Sequence, residues 1–188
     1  MVVLIIVIAA GVLVAGFVWL TYNRMVAKRQ TTENSWAQID VALRRRHDLI
    51  PTLVESVKGY ASHERGTLES VTAARTSAVA DVPQPPPQRA VAENALTQAT
   101  GRLLVVAENY PELEASQNFS QLASDLRETE DQIAITRRVY NDTVESYNTL
   151  IQIFPAVIVA RMFGFERREF FDAPAGAEAT PQVDLAPA

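Results

Sequence analysis

His63-Glu64 opens a recognised catalytic pattern, because a His-Glu pair on a helix starts the zinc-protease motif, in which a second His one turn later completes the metal face. Position 67 is Thr, so that ligand is missing. A Glu in a first helical turn is explained without a metal, since it faces the positive end of the helix dipole. Asp125, Glu128 and Asp131 set pairs of carboxylates on one helical face, and such a wall could in principle hold a cation. Di-metal bundles, however, add Glu-x-x-His pairs, and none occurs here. There is no cysteine and only two histidines, His47 and His63. No Gly-rich phosphate loop or Gly-x-Ser-x-Gly elbow is present, and the seven glycines are scattered. No catalytic, cofactor-binding or metal-binding residue is therefore assigned.

Other residues have interaction chemistry rather than reaction chemistry. Tyr140-Asn141 and Tyr147-Asn148 lie two turns apart, so both tyrosines fall on one stripe. A Tyr hydroxyl or Asn amide beside an apolar seam fixes register through a hydrogen bond. Trp36, Tyr140 and Tyr147 are the expected seam residues. Gly11 and Ala15 form a small-xxx-small pair of the kind that lets helices approach closely in lipid, and they are the candidate self-association face. Phe163, Phe165, Phe170 and Phe171 surround Arg161, Arg167 and Arg168. That mixture suits a membrane interface, and packing against the start of the first helix is the alternative.

The elements that must position these residues begin with an apolar run. Met1 to Tyr22 contain no charged side chain, and Val2 to Leu20 are almost continuously aliphatic. As a helix this stretch rises about 28 Å, close to the thickness of a bilayer's hydrocarbon core. An uncleaved anchor is expected; a cleaved signal is the competing reading, but it would usually carry a positive n-region and a shorter apolar stretch. Arg24, Lys28 and Arg29 follow at once, which places the N-terminus outside and the rest in the cytoplasm. The absence of cysteine agrees with a reducing compartment.

Beyond the span, apolar residues recur at three- and four-residue steps throughout, the pattern of helices that bury one stripe. The first helix should continue to about Lys58 with Ile39, Leu43, Ile50, Leu53 and Val57 inward and a bend at Pro51. Ser62 should cap a second helix carrying Leu68, Val71, Ala74 and Ala78. Pro83-Gln84-Pro85-Pro86-Pro87 should separate it from a third, with Ala92, Leu96, Ala99, Leu103, Val106 and Tyr110. A fourth, from a Ser116 cap, presents Phe119 through Tyr147, Ile151 and Phe154 before Pro155. Two long and two short helices joined by short connections must run up and down. The expectation is an all-α protein: a transmembrane helix over residues 1–22 that continues into an antiparallel, elongated four-helix bundle over 23–172, then an Ala/Pro-rich disordered tail over 173–188. Arg24 should lie opposite Phe154, with Arg44, Arg45 and Arg46 making exposed ion pairs with Asp125, Glu128, Glu130 and Asp131 along the seam flanks.

A net charge of −5 with few lysines argues against nucleic acid, which needs a basic face.

Several blocks resemble the LemA family: Tyr22-Asn23, Trp36-Ala37-Gln38-Ile39-Asp40, Arg45-Arg46-His47-Asp48-Leu49-Ile50-Pro51, Val57-Lys58-Gly59-Tyr60-Ala61 with His63-Glu64, Glu108-Asn109-Tyr110-Pro111-Glu112-Leu113, Asn118-Phe119, Thr129-Glu130, Tyr140-Asn141, Tyr147-Asn148-Thr149 and Phe163-Gly164-Phe165. They fall in order from residue 22 to 172. The resemblance implies a bacterial membrane protein with a long helical cytoplasmic domain, and it implies no reaction. The resulting expectation is an inner-membrane, single-pass, non-enzymatic scaffold or adaptor that binds a protein partner or a second copy of itself. The alternatives are a membrane-remodelling or lipid-contacting protein, and an enzyme of unrecognised type.

Overall fold

Val2–Lys58 forms one continuous helix, α1, in a computed structural model that describes residues 1–61, 63–80 and 85–172. The apolar run and the first amphipathic segment are thus one uninterrupted helix, which continues through Pro51, whose ring faces solvent. Among the described residues five further helices follow and no strand occurs: α2 (Arg65–Ala80), α3 (Pro86–Ala107), α4 (Pro111–Glu114), α5 (Gln117–Gln152) and α6 (Ala156–Met162). Ser62, Pro83 and Gln84, and the tail expected to be disordered, lie outside the described residues.

Prolines set two of these boundaries. Pro86 and Pro87 open α3 instead of lying in a linker, because a first helical turn needs neither of their missing N–H groups. Pro85, extended before them, accepts from the amides of Gln88 and Arg89 at 3.1 Å. Pro111 opens α4 in the same way. The long fourth helix is interrupted at Pro155 as its sequence requires: α5 ends at Gln152, two residues earlier than expected, and a short α6 starts after Pro155. Glu64 precedes α2 instead of lying in its first turn, and its carbonyl accepts from the amides of Thr67 and Leu68.

The helices group into two compact units, which are described separately. One comprises Met1–Arg46 and Leu126–Phe170. Within it α1 and α5 pair antiparallel: Lys28 Nζ donates to Ser146 Oγ at 2.9 Å, the Trp36 and Tyr140 rings lie 5.2 Å apart, and Arg46 meets Glu130. The register is within about one turn of Arg24 opposite Phe154. Ile39, Leu43, Val144 and Tyr147 are buried, as the heptad phase requires. Trp36 is only half-buried. Phe154 departs from the expected stripe and is 80% exposed, since the helix that would have turned it inward ends at Gln152.

The other unit spans residues 47–125 together with Phe171 and Asp172. Ile50, Leu53 and Val57 from the end of α1, Val71 and Ala78 from α2, Leu96 and Leu103 from α3, Leu113 from α4 and Phe119 from α5 turn inward there. α2 and α3 are packed directly against each other.

Candidate functional site

In the first unit, the chain after α5 folds back onto the end of the apolar span. Ala156, Val159 and Ala160 of α6 recur at three- and four-residue steps and join Met25, Tyr147, Leu150 and Ile151 in one buried cluster, with Val18 and Phe165 packed against it. Gly164 ends α6 with φ of 69°, a left-handed conformation that a Cβ would strain. The amide of Phe165 then reaches back to the carbonyl of Ala160 at 2.9 Å, the long bond of a Schellman cap. This turn sends Phe165 back towards α1. Its ring meets Tyr22 at 5.7 Å and lies under the Arg29 guanidinium at 5.6 Å, while Phe163 meets Tyr22 at 4.8 Å.

Residues 165–170 then run along α5 as a strap held by side chains. Asn148 is buried, and its amide nitrogen donates to the Arg168 carbonyl at 2.8 Å while its oxygen accepts from the Arg168 amide at 2.9 Å. The Tyr140 hydroxyl donates to the Glu169 carbonyl at 2.9 Å. Arg168 reaches Glu33 of α1 at 2.9 Å. The Tyr-Asn pattern therefore ties down an irregular segment whose backbone groups have no helical partner. Burial pushes the Tyr140 phenol up to about 12, against a downward pull from Arg168 and with a further rise from Glu169. The Tyr147 phenol is also raised, first by burial; Arg168 and Arg29 lower it, and Glu166 and Glu33 raise it.

Of the expected membrane-proximal residues, Phe163 and Phe165 contact α1, Phe170 is exposed on the strap, and Phe171 is buried and belongs to the other unit. Gly11 and Ala15 lie on the exposed apolar stretch of α1.

In the second unit the structure reveals a polar centre that sequence reasoning missed. His47 and Glu93 are both buried, with His47 Nε2 3.0 and 3.2 Å from the two carboxylate oxygens. Arg89, one turn back on α3 and also buried, has its Nε 4.0 Å from Glu93. Arg75 of α2 donates to the His47 carbonyl at 2.8 Å. The signal was present in the heptad phase: Arg89 and Glu93 extend the stripe of Leu96 backwards, and His47 falls between Leu43 and Ile50.

Among the arginines expected on the seam flanks of the first unit, Arg45 makes the exposed type of pair, 3.7 Å from Glu128, and Arg44 turns to Asp40 on its own helix. Arg46 is a correction. It is buried, with one guanidinium nitrogen 2.9 and 3.1 Å from the Glu130 carboxylate oxygens, because its position repeats the heptad phase of Ile39. Among the described residues no three His, Asp or Glu side chains gather as a metal site.

These arrangements can hold segments together and present surfaces. On the first unit, Ala37, Val41 and Ala42 of α1 and Gln132 and Thr136 of α5 line an open groove of about 400 Å³. Ile135 and Val139, on the same stretch of α5, are exposed.

A family model described as the LemA family matches residues 35–185. Magnetosome protein MamQ 2 of Paramagnetospirillum magneticum is 27% identical over 191 residues, covering 87% of this chain and 70% of that protein. Magnetosome protein MamQ of Magnetospirillum gryphiswaldense is 26% identical with the same coverage. Protein LemA of Metamycoplasma hominis is 26% identical over 167 residues, covering 86% of this chain and 75% of that one.

Proposed function

The chain belongs to the LemA family, and from that premise we propose that it is a membrane-anchored, non-enzymatic scaffold or adaptor. One observation carries the reading: a single helix runs from an unburied apolar stretch of membrane-spanning length into the helical domain without a break. A helix shared by the apolar stretch and the domain ties that domain to the membrane surface, which is what a scaffold needs and a free enzyme does not. Arg24, Lys28 and Arg29 after the span favour an N-terminus outside the inner membrane and residues 23–172 in the cytoplasm. Two long helices, α1 and α5, and two short ones, α2 and α3, fit an antiparallel four-helix bundle. The magnetosome relatives are named for a cell structure and not for a reaction, which favours the same reading.

The adaptor surface is the groove at Ala37 and Val41, with Ile135 and Val139 beside it, and its occupant is a helix of a partner protein or of a second copy. A photo-crosslinking residue placed at Val41, Ile135 or Val139 in intact cells should give discrete heavier adducts, resolved by mass spectrometry. The same residue at Glu145, on α5, should not give those adducts. Equal yields at all positions, or none, would remove the adaptor reading. Protease added outside spheroplasts should spare residues 24–188; digestion there would reverse the orientation.

A further inference from the structure

α6 is apolar on all sides but covered on only one. Its sequence from Ala156 to Met162 contains one polar residue, Arg161. The inward face is made of Ala156, Val159 and Ala160. The larger residues point out: Ile158 is 55% exposed, Met162 60%, and Phe154, just before the helix, 80%. A helix hydrophobic all round is stable only where both faces meet apolar surroundings.

What covers the outer face follows from where α6 docks. Its inner face shares a cluster with Val18, which lies inside the apolar run, and with Met25. The Phe163 ring packs tilted against that of Tyr22. Leu20 and Met25 are about 7.5 Å apart along the helix axis. A bilayer's headgroup layer is about 5 to 7 Å deep on each side of its core. The contacts thus set α6 level with the headgroups, beside the point where α1 leaves the hydrocarbon.

We propose that α6 and Phe154 form an interfacial wedge: Phe154, Ile158 and Met162 insert into the leaflet from which α1 emerges, while Arg161 stays at the phosphate level. The occupant of this face is lipid, since the surface is continuous with the span. Arg161 belongs to the type of side chain that keeps its charge in water while its stem lies along apolar surface. The wedge differs from the Phe-rich contact expected from the sequence: Phe165 is used against α1, and the inserting residues are those that α6 turns outward. The proposal rests on Val2–Leu20 spanning the membrane, so its test reports on the two separately.

The chain has no cysteine, which allows single labels without other changes. Full-length protein carrying Phe154→Cys, Ile158→Cys, Ile8→Cys or Val105→Cys is labelled with a small fluorophore and reconstituted in anionic phosphatidylglycerol nanodiscs. Quenching by spin-labelled lipids is compared with quenching by iodide. Ile8 reports the span, and Val105 on α3, exposed, reports water. The wedge requires Phe154 and Ile158 to be quenched by lipid with the label near the headgroups, several-fold more than Val105, and to be shielded from iodide. Iodide quenching at Ile158 equal to that at Val105, with Ile8 still lipid-quenched, overturns the wedge and leaves the anchor standing. Shielding of Ile158 from both quenchers also overturns it, because a protein surface then covers the face. Loss of lipid quenching at Ile8 overturns the span reading and the wedge with it.

Discussion

The apolar cluster of the first unit and the polar centre of the second bury different chemistry, and the buried Arg46, paired with Glu130, is the first unit's own ionic contact. The cluster around Met25, Tyr147 and Val159 is apolar, and the polar groups beside it, from Asn148 and Tyr140, are neutral and bonded to backbone. The centre at His47, Glu93 and Arg89 buries ionisable groups among aliphatic ones. An apolar core loses stability gradually as atoms are removed. A buried ionic centre costs little while complete and much when one member is lost, because the remaining charge has no water to turn to. The apolar cluster should therefore tolerate conservative changes that the polar centre does not.

The largest effect should come from breaking that ionic balance. Glu93→Ala leaves His47 and Arg89 without the carboxylate and should destabilise by about 3 to 5 kcal/mol in chemical denaturation. A cost under about 1 kcal/mol would make Glu93 an incidental member of the centre. Comparable in size, but with a different mechanism, Tyr147→Ala should cost about 3 to 5 kcal/mol by opening a cavity. Tyr147→Phe should recover most of it, and no single conservative replacement should do the same for Glu93.

Asn148→Ala removes both hydrogen bonds to Arg168 and should cost about 1 to 3 kcal/mol, with faster hydrogen exchange at the Arg168 amide. Tyr140→Phe should cost about 0.5 to 1.5 kcal/mol. If the strap is one unit the two changes will be non-additive; strict additivity would show that each bond holds only its own residue. Tyr140 also gives its unit a pH signature. Its folded-state value of about 12 lies above the ordinary phenol value of 10.0, so its contribution is intact below pH 10 and falls as pH rises towards 12. Tyr140→Phe should flatten part of that alkaline loss.

The smallest effect is expected at Glu33 and Arg168, which pair at 2.9 Å with both side chains nearly half exposed. Glu33→Gln should change stability by at most about 1 kcal/mol, and high salt should erase the difference.

Much of the fold was legible because helices announce themselves locally. The heptad steps from Ile39 to Val57 and from Leu122 to Tyr147 identify both long helices and their inner faces, and a charge-free aliphatic run identifies a candidate membrane helix. The antiparallel register followed to within about one turn from helix lengths alone. The candidate site was less legible. The start of α1 was foreseen as the alternative partner of the Phe-rich segment, and Glu128 and Glu130 as partners of the arginines, but the strap that Asn148 and Tyr140 hold was not.

By itself, the sequence determined where the four longer helices run, most of the stripe each buries and where charge begins after the apolar run, since these depend on neighbours three and four positions away. Tertiary structure decided that Phe154 is left outside, that Asn148 and Tyr140 hold a backbone strap, and that His47 meets Glu93 across 46 positions of chain. The physical reason is one of range: periodicity fixes a side chain's direction from its own helix, whereas a hydrogen bond between distant residues exists only once packing has excluded water from both.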